Sequence, residues 1–110
     1  MKRKNRIDKN RPIRELSVMC RKYFGVDYEH WNWIIEEYDS GVTQYGIAIE
    51  LPKKLKDGSS VYTNPFITRS NGCSKGLVEC ANMALVFMYS KFEGITYDYS
   101  SAYNPVYDHQ

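Results

Sequence analysis

The stretch TQYGIAIEL, residues 43–51, alternates between large apolar side chains and small or polar ones. Successive side chains of a strand point to opposite faces of its sheet, so this alternation predicts a strand with one buried face. The residues expected on the buried face are Tyr45, Ile47, Ile49 and Leu51. The other face carries Gln44, Gly46, Ala48 and Glu50. Because Gly46 and Ala48 are small, we expect another group to pack closely on that second face.

Two further strands are predicted around this one. HWNWIIEEYD, residues 30–39, is rich in aromatic and β-branched residues, and the turn signal at residues 39–41 favours a hairpin with residues 43–51. Trp31 and Trp33 share one face of this strand, and we expect them to pack in the core. The third strand is VYTNPFIT, residues 61–68, in which Pro65 indicates a sheet edge or a bulge because it cannot donate a backbone hydrogen bond.

Helices are predicted before and after the strands. Apolar residues recur at three- and four-residue steps over residues 12–24, with Pro12 suited to the first turn and Gly25 to the position just past the end. A second helix follows Asn71-Gly72, with Ser74 as its N-cap, and ends at Gly94. Its apolar residues extend beyond one stripe, so it is either enclosed on most sides or meets a partner. They are Leu77, Val78, Cys80, Ala81, Met83, Ala84, Leu85, Val86, Phe87, Met88 and Phe92.

The order of these elements predicts an α+β fold. In this helix-strand-strand-strand-helix order, a three-stranded antiparallel sheet with two helices packed on one face satisfies every apolar face. Short connections favour the meander order of strands. The chain has 110 residues, which corresponds to one domain, placed at residues 12–110. Residues 1–11 have almost no apolar content and are predicted to form a flexible basic arm.

This element order, over residues 12–93, resembles that of the double-stranded RNA-binding domain. The resemblance implies the fold, and that family binds A-form duplexes through its first helix, its first hairpin loop and the start of its last helix. Where the family has a run of lysines, CSKGLVEC offers Lys75 followed by Glu79. Where the family's hairpin loop has a Gly-Pro-x-His pattern, YDSGVTQ has an acid and no histidine. The resemblance is therefore one of element order, and it leaves duplex binding to the arm.

Charge is distributed unevenly along the chain. Residues 1–14 hold seven cations and one acid, so this segment carries +6 and the remainder −4, which gives the net charge of +2. Cations on a flexible segment bind phosphate backbones without reading sequence. We therefore predict a small, non-catalytic accessory protein that binds RNA or DNA through its basic arm, helped by loop cations. The predicted binding residues are Lys2, Arg3, Lys4, Arg6, Lys9, Arg11, Arg14, Lys53, Lys54, Lys56 and Lys75.

Aromatic residues offer a second way of binding nucleic acid, because unpaired bases stack on exposed rings. The candidates are Trp31, Trp33 and the tail tyrosines Tyr97, Tyr99, Tyr103 and Tyr107. For the two tryptophans, core packing is the stronger expectation, since strand alternation places both on one face.

A protein-binding module is the alternative hypothesis. The apolar last helix or the tyrosine-rich tail would then form a homodimer face or dock on another protein, and tyrosine is favoured at such surfaces. A phage-type inhibitor of a bacterial defence enzyme fits the size of the chain.

Cys73, at the start of the second helix, is a candidate nucleophile with His30 as its base, but we expect it to fill the turn.

Several classes of function are not expected from this sequence. The three cysteines are odd in number and lack CxxC spacing, so we expect neither a disulfide framework nor a metal site, and no cofactor. Gly-rich phosphate loops are missing, and we do not expect an enzyme. No apolar run approaches the roughly 20 residues of a membrane span, and the charged N-terminus does not look like a signal peptide. A cytoplasmic protein without membrane contact is expected.

Overall fold

Two helices cover one face of a three-stranded antiparallel sheet, which confirms the predicted α+β fold. The computed structural model describes residues 8–37 and 41–97. The elements are α1 (Arg11–Tyr23), β1 (Glu29–Glu37), β2 (Thr43–Glu50), β3 (Phe66–Ser70) and α2 (Cys73–Met88), followed by a π-helical turn (Tyr89–Glu93). The strands lie in the order β1-β2-β3, so β2 is central and the other two are edges.

The register of the sheet defines which side chains share a face. Trp31 of β1 lies opposite Ala48 of β2, and Trp33 lies opposite Gly46. On the other side of β2, Ala48 pairs with Ile67 and Gly46 pairs with Arg69. Directly opposed residues share a face, so these residues form two rows on the face away from the helices. We call this surface the open face.

The core lies between the helices and β2. It joins α1, α2 and the helix-facing side of β2, and it is closed by Leu51 and Val61. The fully buried side chains of this cluster are Leu16, Cys20, Ile47, Ile49, Cys80, Ala81, Ala84, Leu85 and Met88. The prediction for the helix-facing side of residues 43–51 is thus confirmed. Burial raises the pKa of the Cys20 thiol to about 12 and that of Cys80 to about 11, so both are structural side chains.

The helix α2 approaches the sheet closely at one glycine. A Cβ atom built on Gly76 would lie 2.5 Å from Cγ1 of Ile47 and 3.3 Å from Cβ of Ser70. Any larger residue would therefore push the helix away from β2. The apolar surface of α2 is wide because the helix is enclosed on most sides, which is one of the two arrangements that the sequence predicts.

Three details of the secondary structure differ from the prediction. The N-cap of α2 is Gly72, which makes no side-chain cap hydrogen bond, so the assignment of Ser74 as the cap is wrong. The third strand lies at an edge, as Pro65 indicates, but it begins only after that proline, at Phe66. The expectation that Trp31 and Trp33 pack in the core is also wrong, because their exposed fractions are 42% and 43%. Both lie on the open face, and the helices cover the opposite one.

Two clusters of hydrogen bonds join α1 to the π-helical turn and to the residues just after it. Tyr23 donates its hydroxyl proton to Glu93 over 2.6 Å, and Lys22 donates to the same carboxylate over 3.2 Å. Tyr89 and Tyr97 stack at 5.1 Å, and both hydroxyls donate to Glu15. These contacts join residues 70 to 82 positions apart in the chain, so α1 cannot separate from the π-helical turn and the residues after it without breaking them.

A substitution at Gly76 tests the close approach of α2 to β2. Alanine favours helix by about 1 kcal/mol over glycine, but overpacking of a core contact costs about 1–3 kcal/mol. We therefore expect Gly76→Ala to lower the free energy of unfolding by up to about 2 kcal/mol in urea denaturation. The control is Gly72→Ala, whose added Cβ meets nothing within 4 Å. A Gly76→Ala variant at least as stable as the parent would contradict this packing.

Alkaline pH tests the tyrosine cluster at Glu15. Burial, followed by the neighbouring Glu15 carboxylate, raises the pKa of Tyr89 and of Tyr97 above the ordinary value of 10.0. The folded state therefore holds these protons more tightly than the unfolded state does, and the stability they contribute is complete below pH 10.0 and decreases above it. We expect the urea midpoint to fall progressively as the pH rises from about 10 to about 12, above the ordinary pKa of tyrosine. The fall should be smaller in the variant with Tyr89→Phe and Tyr97→Phe, and an equal fall in both proteins would refute this role.

Candidate nucleic-acid interface

The two tryptophans of β1 lie along one edge of the open face. They are two residues apart on one strand, so both side chains point to the same side of the sheet. Beside them in the two rows lie Ile67, which is 56% exposed, and Arg69, which is also exposed. Besides the small residues of β2, these two rows therefore present two indoles, one branched apolar side chain and one cation.

The indole of Trp33 lies flat across Gly46. From the position of a Cβ atom on Gly46, three ring atoms of Trp33 lie at nearly equal distances, namely Cε2 at 2.4 Å, Cζ2 at 2.6 Å and Nε1 at 2.6 Å. One face of the ring is therefore in contact with the backbone of β2, and the other is turned towards solvent. The prediction that another group packs closely on this side of β2 is confirmed, and the group is Trp33.

The cations of the predicted interface fall into two classes. Arg11, Arg14 and Lys53 lie within ion-pair distance of an acid, namely Glu15 at 3.8 Å, Asp8, and Glu50 at 3.1 Å respectively. Lys9, Lys54, Lys56 and Lys75 are exposed, and within the described part of the chain they have no acidic partner. Lys2, Arg3, Lys4 and Arg6 lie outside the described residues.

The structure does not gather these predicted residues into one patch. Lys53, Lys54 and Lys56 follow the end of β2 at Glu50, whereas Lys75 follows Ser70, which pairs with Tyr45 near the start of β2. Five residues of strand separate those two ends, which is about 17 Å. Lys75 belongs to α2, which lies on the side of the sheet opposite the open face. Arg69 was not singled out from the sequence, and the signal that identifies it is its pairing with Gly46.

One end of the open face is acidic. Glu29 lies opposite Glu50, and with Asp27 they line a cavity of about 330 Å³. Lys53 lies within 3.1 Å of the Glu50 carboxylate, and Arg21 lies 3.5 Å from that of Asp27. Each of these two acids thus has a cation beside it, and Glu29 is left without one in the described structure.

The structure separates the residues of the cysteine hypothesis. Cys73 is half-buried at the start of α2 and packs against the core, three residues after Ser70. His30 is exposed and pairs with Ile49, towards the opposite end of β2.

Among the described residues, no group of three histidine, cysteine, aspartate or glutamate side chains is arranged to hold a metal ion. No helix in the described ranges is long and apolar enough to cross a membrane.

Comparison of the chain with family models, with curated proteins and with solved structures found no match.

A double-mutant cycle tests the contact between Trp33 and Gly46. A Cβ at Gly46 would overlap the indole, so we expect Gly46→Ala to lower the free energy of unfolding by about 1–3 kcal/mol. In a Trp33→Ala background the overlap is gone, and Gly46→Ala should then cost little. Urea denaturation of the four proteins measures the coupling. Equal costs in the two backgrounds would show that the ring does not lie on Gly46.

Proposed function

We propose that this protein binds nucleic acid without catalysing a reaction, and that exposed cations contact the phosphate backbone. The observation that supports this proposal is that many exposed cations have no acidic partner, whereas most acids of the described surface have a partner. Ion pairs occupy only part of the cationic surface, and the exposed cations that lack an acidic partner in the described structure are Lys9, Lys54, Lys56, Arg69, Lys75 and Lys91.

Most acids of the described surface already have partners. Five carboxylates lie within ion-pair distance of a cation, namely Asp8, Glu15, Asp27, Glu50 and Glu93. Glu79 accepts a hydrogen bond from Thr68, and Asp57 accepts two from Ser59. The unpaired cations are therefore more available to an external anion than the acids are to an external cation, although the whole chain carries only +2.

The N-terminal segment adds to this supply of positive charge. Lys2, Arg3, Lys4 and Arg6 are separated from the first acid, Asp8, by a single residue or more. A protein that neutralises several phosphates releases their counterions, so its affinity falls steeply with salt. Binding of this kind requires no single pocket, and it fits cations that are spread over the surface.

The protein-binding alternative receives less support from α2. This helix is described throughout, and Val86, at 36% exposure, is its exposed large apolar residue. The apolar side chains that suggested a docking helix instead pack into the core. A protein partner is thus an outcome of the experiment below and not a second proposal.

Salt-dependent binding tests the proposal. Fluorescence anisotropy of labelled RNA and DNA should show affinity that falls as a power of salt concentration between about 50 and 200 mM. Replacing both Lys54 and Lys56 with glutamine should reduce the slope of log affinity against log salt concentration by about 1.5. Each lost phosphate contact reduces that slope by about 0.7–0.9. Replacing Lys2, Arg3, Lys4 and Arg6 with glutamine should reduce it further.

Arg21→Gln is the matched control for these variants. It also removes an exposed cation, but that cation already faces Asp27 across 3.5 Å, so the slope should stay near that of the parent. If no nucleic acid binds at the lowest salt concentration, and light scattering instead shows a mass that rises with protein concentration, the proposal is wrong and the protein-binding alternative replaces it.

A further inference from the structure

We infer that the nucleic acid is single-stranded and that its unpaired bases stack on Trp31 and Trp33 of the open face. This inference rests on the proposed function and assigns to it a substrate class and a site. Because the ring of Trp33 lies flat on Gly46 and is still 43% exposed, it presents an aromatic face to solvent on a rigid support.

The spacing of the two tryptophans favours unpaired bases over a duplex. Side chains two residues apart on a strand are separated by about 7 Å, so two indoles are offered side by side along β1. In a duplex, consecutive bases are stacked about 3.4 Å apart, and their faces are hidden within the helix. Single strands expose base faces that stack on aromatic side chains, and this stacking tolerates any base.

The open face carries positive charge on its β3 side, which suits contact with the phosphates of a single strand. Arg69 lies in the same row as Trp33, two strands away, which is about 10 Å. Lys54 lies in the loop that follows β2, whereas Lys75 belongs to α2, on the covered side of the sheet. Glu29, an acid of this face with no cationic partner in the described structure, is at the β1 edge, so we place the phosphates on the β3 side and the bases towards β1.

Tryptophan fluorescence tests this inference directly. The chain contains two tryptophans, and both lie on the open face, so its tryptophan emission reports on this surface alone. Titration of the full chain with a ten-nucleotide oligothymidylate should quench the emission strongly. The same concentration of a duplex of that length should quench it weakly, because its base faces are not accessible.

Matched substitutions separate stacking from apolar contact. We expect Trp31→Leu and Trp33→Leu each to weaken single-strand affinity about 10-fold, and Trp31→Phe and Trp33→Phe to weaken it less, because phenylalanine keeps an aromatic face. The slope of affinity against salt should remain that of the parent, since no phosphate contact is lost. Val18→Ala, which removes a 65% exposed apolar side chain from α1, is the control. Circular dichroism measures whether each variant is folded. Trp31 does not lie over a glycine, so we expect its substitution to change the stability of the fold less than substitution of Trp33 does.

The outcomes distinguish this inference from the proposed function. If both leucine variants bind as the parent does, or if the duplex quenches as strongly as the single strand, the inference is overturned and salt-dependent binding still stands. If nothing binds at low salt, both proposals fail. If the emission shifts with protein concentration alone and the mass doubles, a second copy occupies the open face and the inference is again overturned.

Discussion

The structure depends on two close contacts made by β2, one on each of its faces. On one face Ile47 lies beneath α2, which approaches at Gly76, and on the other Trp33 lies across Gly46. Each contact requires a glycine, because a Cβ atom would come within 2.5 Å of the neighbouring side chain. The alternation of large and small residues in β2 thus places the helices on one side of the sheet and an aromatic surface on the other.

This arrangement explains why the two faces of the sheet differ in character. The helix α2 packs over β2 and β3, and α1 packs against α2, so Ile47 and Ile49 are fully buried. The edge strand β1 extends beyond that cover, and even Ile34, on the side of the helices, is 65% exposed. Two indoles exposed over small residues are costly to leave in water, at about 25 cal/mol for each Å² of apolar surface. Such a surface is typical of a binding site.

Signals between neighbouring residues in the sequence predicted much of the fold. The features that were not predicted depend on contacts between residues that are distant in the sequence. Pro12 and Gly25 act on their immediate neighbours, so the predicted limits of α1 agree with the structure to one residue. The exposure of Trp31 and Trp33 could not be predicted in this way, since β1 carries apolar residues on both faces. The side that the helices cover is determined by contacts with β2 and β3, far away in sequence. Likewise, the sequence identifies cations, but the pairing of Lys53 with Glu50 depends on the course of the loop after β2.

In our proposal, the face of the sheet opposite the helices binds single-stranded nucleic acid while the core remains unchanged. The most direct measurement is a two-dimensional NMR spectrum of the ¹⁵N-labelled chain, in which the two indole N–H groups give separate signals. On addition of a single-stranded oligonucleotide, the account predicts that both indole signals and the amide of Arg69 shift, whereas the amides of Leu85 and Ala81 in α2 do not. Shifts confined to the amides of residues 1–14, with both indole signals unmoved, would contradict it.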